Sequence, residues 1–103
     1  MKNSKQITDM ETIFTKAKDI FKNVQKCTMT ENQICGIDIY RNCEDYYHHP
    51  RYQITPNWTQ MNKFNITICY SVSGWSNCVE ILSGITIDDV FLFFECMRRG
   101  GLT

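Results

Sequence analysis

Apolar positions between residues 4 and 26 recur at steps of three and one: Ile7, Met10, Ile13, Phe14, Ala17, Ile20, Phe21 and Val24. That period marks one face of an amphipathic α-helix. Thr8 and Glu11 have capping-box spacing, with an earlier start near Ser4 as the alternative. After Cys27-Thr28-Met29 the spacing predicts a second helix, from Thr30 with Gln33 as its box to about Tyr47. Pro50 pushes the residue before it out of helical geometry. Gly36 sits inside that span at a cost of about 1 kcal/mol relative to alanine. Residues 48–55 read as a connector, and adjacent His48 and His49 read as surface residues rather than metal ligands.

Thr55 and Pro56 resemble the opening of a third helix, with Trp58, Met61, Phe64, Ile68, Val72 and Trp75 as its stripe. Residues 64–72 are ambiguous, because Phe64, Ile66, Ile68, Tyr70 and Val72 also alternate in strand fashion. A strand needs a partner, and the short Ile85-Thr86-Ile87 is the only other candidate, so helix is favoured. A turn of helix over 77–82 comes next. The last helix is the best marked. Thr86 is its N-cap, Asp89 completes the box, and Ile85 and Val90 have staple spacing. Asp88 and Asp89 lie at its positive end and Arg98 and Arg99 at its negative end. Gly100 is expected in a left-handed C′ position. Val90 to Phe94 are apolar on all sides of a helix, which implies a buried one.

These elements together imply an all-α fold, a small disulfide-stapled bundle of four to five helices in one domain, 1–103. The staples are expected because 103 residues make only a marginal core. Cys27, Cys35, Cys43, Cys69, Cys78 and Cys96 form an even set in a short chain, which favours disulfides and an oxidising compartment. Their gaps are too wide for zinc. Pairing is open. Cys35 and Cys43 on one helix would stand ~12 Å apart along the axis, beyond the ~7 Å a bridge tolerates, and so are not partners. Two sequons, Asn57-Trp-Thr59 and Asn65-Ile-Thr67, are candidate N-glycosylation sites. No apolar leader precedes residue 7, so Met1 reads as an initiator in front of a mature secreted sequence.

The formal charge is zero, which argues against nucleic acid or an anionic membrane as partner. No hydrolase elbow, phosphate loop or zinc-protease motif occurs, and adjacent Asp88 and Asp89 are explained by the helix end. The chain therefore reads as a non-enzyme with no cofactor and no metal. A weak internal echo relates 4–47 to 56–101. Asn23-x3-Cys27, Cys35 and Tyr40-x2-Cys43 face Asn65-x3-Cys69, Cys78 and Phe93-x2-Cys96, as two pseudo-repeated helical hairpins. Three cysteines per half require at least one bridge between halves if all six pair. Tyr40 and Phe93, each one turn before a half-cystine, would lie over a bridge.

The units Cys35-x4-Tyr40-x2-Cys43 and Cys78-x14-Phe93-x2-Cys96 resemble the paired motif of the bicycle proteins, salivary effectors of gall-forming aphids. Phe93 stands where that family has tyrosine, and the second gap is long. The resemblance implies a secreted, non-enzymatic effector that binds an unknown host (plant) macromolecule, with oligomeric state open. Insect odorant-binding proteins share six cysteines and helices, but their Cys-x3-Cys pair is absent. The alternative function is a secreted carrier of a small hydrophobic ligand. Phe14, Phe21, Phe91, Phe93, Phe94, Trp58 and Trp75 would then line a cavity of some ~300 Å3 or more.

Overall fold

The computed structural model describes residues 4–28, 33–40, 51–72 and 75–100. The elements in order are α1 (Ser4–Ile20), β1 (Val24–Thr28), β2 (Ile34–Tyr40), β3 (Arg51–Pro56), β4 (Phe64–Val72), β5 (Trp75–Ile85) and α2 (Ile87–Arg99). The five strands form one antiparallel sheet in the order β1-β2-β3-β4-β5. The all-α expectation is thus wrong. Both terminal helices are present, and the described residues between them form a sheet rather than further helices.

In α1, Met10, Ile13 and Ala17 are buried, with Phe21 just beyond the end. The helix starts before Thr8, so Thr8 is no cap. Its carbonyl instead accepts from the Thr12 hydroxyl at 3.0 Å. The helix stops at Ile20 rather than 26, because Val24 and the residues after it pair with β2, Val24 opposite Ile39.

Over 34–40 the predicted second helix is β2, and residues 30–32 and 41–47 of its span lie outside the described residues. Ile37 and Ile39 point into the core and Asp38 to the other face, a period-two pattern with β-branched residues that suit a pleated surface. The supposed connector supplies β3. Pro56 closes that strand opposite Phe64 instead of opening a helix, and its missing N–H falls where pairing ends. Residues 64–72 take the strand alternative, and the partner that seemed missing is β5. Its period is hard to read because Ile66 faces Leu82 while Thr67 faces Glu80, which leaves Ile81 as an extra bulged residue. The two halves are not repeated helical hairpins: one contributes α1-β1-β2 and the other β4-β5-α2.

The core lies between the helices and one sheet face. Ile37, Ile39, Ile54, Phe64 and Ile66 meet Met10, Ile13, Phe21, Val90, Phe94 and Met97. Phe21 and Phe94 touch edge to face at 5.6 Å. The cap of α2 is as expected: Thr86 Oγ1 accepts from Asp89 N–H at 3.2 Å and Asp89 accepts from Thr86 N–H at 3.3 Å. Two details of α2 differ. Gly100 ends it at φ −78° rather than left-handed. Leu92 is 63% exposed, so the helix buries one stripe, Val90, Phe94 and Met97, and is not enclosed. Among the described residues no helix is long and apolar enough to cross a membrane.

Candidate functional site

Strand register places the chemistry-bearing side chains on the sheet face turned away from the helices. One row runs Tyr40, Arg51, Cys69, Cys78 across β2 to β5. The next runs Gln25, Asp38, Gln53, Thr67, Glu80. Asp38 accepts from Gln53 Nε2 at 3.1 Å. Burial raises the Asp38 carboxyl above the ordinary range, although Arg51 and the Gln53 bond pull the other way.

Of the described cysteines, four stand in pairs. Cys69 and Cys78 are directly opposed, with sulfurs 2.6 Å apart. Cys27 and Cys35 share a hydrogen bond at the β1–β2 bulge. Burial, then the contact with Cys78, pushes the Cys69 thiol up to about 11. Cys96 is exposed on α2. Cys43, with His48 and His49, lies outside the described residues. The helical spacing that kept Cys35 apart from Cys43 does not apply, because Cys35 is on a strand and not a helix. Among the described residues no cluster of three or more His, Cys, Asp or Glu could hold a metal.

Tyr40 is buried in the row that ends in the Cys69–Cys78 pair. Phe93 is on the opposite side of the sheet, edge to face with Tyr52 at 5.7 Å. The two motif aromatics are therefore not equivalent.

The sequon asparagines meet each other. Asn57 Nδ2 donates to Asn65 Oδ1 at 3.0 Å, and Asn65 Oδ1 also accepts from Gly84 N–H. Asn57 Oδ1 accepts from Thr59 N–H, the Thr59 hydroxyl and Gln60 N–H. Asn57 is buried and its side chain holds the β3–β4 connection, where Asn62 takes φ 59°. Gly84 has φ +65°, a conformation strained for any other residue.

The outer edge of the sheet is apolar. β5 carries exposed Val79, Ile81 and Leu82, with Tyr70 of β4 beside them and Glu80 as the only charge in the strand. The other edge, β1, has five residues and carries Lys26, whose ammonium sits 5.1 Å from the Phe14 ring. Short, charged edges resist pairing with other chains, and long apolar ones invite it. Sequence reasoning missed this edge because it read 77–82 as helix. The available signal was Cys78-Val79-Glu80-Ile81-Leu82, rich in β-branched and apolar residues between Gly74 and Gly84.

Of the aromatic set, Phe21 and Phe94 are buried against each other, Phe14, Phe91 and Phe93 pack on the core, and Trp58 is exposed. A groove of about 470 Å3 opens along α1, lined by polar residues such as Glu11, Thr15 and Asp19 with Phe91 at one side.

The fold is an antiparallel five-stranded meander with its two terminal helices on one face. Comparison with protein-family models, with curated proteins and with solved structures finds no match.

Proposed function

We propose that this chain is a non-catalytic binding protein that takes an extended, apolar segment of a partner protein along β5. The observation that carries the reading is the exposed run Val79, Ile81, Leu82 on an eleven-residue edge strand with a single charge. An added strand gains its affinity from main-chain hydrogen bonds along a sheet edge and its selectivity from alternate side chains. Secretion is supported by the cysteine content of a short chain. Delivery in insect saliva and a plant target rest on the cysteine–aromatic–cysteine resemblance alone.

The carrier alternative has less support. The core rings close on one another, and the groove beside α1 is open to solvent rather than enclosed.

The test is selection from a displayed library of random linear peptides against the immobilised full chain, followed by amide exchange with the selected peptide. Selected sequences should alternate apolar residues and slow exchange in β5. Ile81→Lys should weaken that peptide at least about tenfold, the cost of setting a charge in an apolar strand contact. Protection elsewhere than β5, or unchanged affinity of the variant, would sink the proposal. So would protection of β5 that grows with protein concentration alone, which would mean pairing with a second copy.

A further inference from the structure

The cysteines are the reactive side chains that edge binding leaves unused, and strand register sorts four of them into two pairs. Cys69 faces Cys78 across β4 and β5, with sulfurs 2.6 Å apart. Cys27 faces Gly36, and the bulge in β2 brings Cys35 within hydrogen-bond reach of it. Directly opposed strand residues have Cα atoms about 4.5–5.5 Å apart, within the ~4.4–6.8 Å that a disulfide spans. We infer that Cys69 and Cys78 form one cross-strand disulfide and Cys27 and Cys35 a second, each fastening an edge strand to its inner neighbour.

These bonds form whatever β5 binds. They also narrow the choice of pairings. Two bridges inside the two halves leave Cys43 and Cys96, one from each half, as the only pair a fully oxidised chain has yet to join.

The chemistry is a two-electron exchange with a small-molecule disulfide such as oxidised glutathione. Cys78 is exposed and Cys69 buried, so the Cys78 thiolate attacks first. The donor's S–S bond breaks, a mixed disulfide forms and one glutathione leaves. The Cys69 thiolate then attacks the Cys78 sulfur, closing the protein bond and releasing the second glutathione. The cysteines lose two electrons to the donor, and their two protons end on the two glutathione thiols. Burial holds the Cys69 thiol up near about 11, and Arg51 in the same row opposes that rise. Its smaller thiolate fraction slows that second attack relative to an ordinary cysteine at the same place. At the other edge Cys27 is exposed and makes the first attack. The Cys35 hydrogen bond raises its thiol, which slows that start.

The experiment refolds the full chain in oxidised and reduced glutathione, blocks remaining thiols with iodoacetamide, and maps peptides without reduction. A glutamate-specific protease cuts after Glu31, separating Cys27 from Cys35. Chymotrypsin cuts after Tyr70 or Trp75, separating Cys69 from Cys78. The expected result is two linked peptide pairs, Cys27 with Cys35 and Cys69 with Cys78, each lighter by two hydrogens and each lost on reduction. Cys78→Ser should leave the Cys27–Cys35 link in place and Cys69 unlinked, alkylated only after unfolding. If that variant fails to fold, Cys27→Ser serves with the roles exchanged: the Cys69–Cys78 link should persist. Linkage of any of these four to Cys43 or Cys96, or alkylation of all four in the refolded chain, would overturn the inference.

Discussion

Asp38 faces Gln53 and lies near Arg51 on β3, and burial still outweighs both. Its carboxyl is raised, so the native protein holds the proton to a higher pH than the unfolded chain does, where the group titrates near about 3.9. Below that value both states are protonated and nothing is lost. As pH rises through the raised native value, the folded state must carry a buried charge and stability falls. Asp38→Asn keeps an oxygen for Gln53 and removes the charge. We expect its urea midpoint to exceed wild type at pH 7 and to match it at about pH 3. An equal difference at both values would show that charge burial is not the cause. Single residues were also where the sequence was most legible. The Thr86–Asp89 box is local, needing only four consecutive residues, and it formed as expected. A helix read onward from the same pattern at Thr30 and Gln33 is wrong over 34–40, because a four-residue match carries no information about the distant strands with which the next residues pair.

Elements depend on partners that a short window does not contain. α2 was recognisable, yet five successive apolar residues suggested a helix surrounded on all sides. One side is largely open: Leu92 is exposed while Phe94 is fully buried. Leu92→Ala should therefore change stability by no more than about 0.5 kcal/mol, and Phe94→Ala should cost about 3–5 kcal/mol. Denaturant melts of the two variants check this, and similar losses would mean that Leu92 is covered in solution. At the far end of the helix, hydrogen bonds from Arg98 and then Arg99 hold the exposed Glu95 carboxyl down to about 2. That contribution is present above the ordinary carboxylate range and lost only as pH falls toward 2. The connection between β3 and β4 rests on Asn57 in the same way that a helix rests on its cap. Asn57→Ala leaves the Thr59 and Gln60 N–H groups without their acceptor and should cost about 1–3 kcal/mol. A melt with no loss would show that water replaces the side chain. The strands themselves were hidden by irregularity. The bulges at Cys35 and Ile81 each shift the alternation by one, and a period broken in that way resembles the spacing of a helix.

For the whole molecule, composition bounded the size of the core but could not decide the fold class. The hydrophobic total is the same for a bundle and for a sheet backed by helices. What differs is long-range pairing, such as Phe64 with both Pro56 and Ile85. The two edges of the sheet also differ in ways no local rule reveals. Lys26 on short β1 guards one side, and β5 on the other is long and apolar.

The strand order has a further consequence for how the chain finds its shape. Each strand lies beside its successor, so the sheet can grow as a series of hairpins, each closing only a short segment of chain. The contact of Phe21 with Phe94 is different, because it brings together positions from opposite ends of the sequence and must wait for everything between them. We therefore expect the neighbouring strands to pair before the two helices close on each other, and mutations at Phe21 or Phe94 to speed unfolding more than they slow folding.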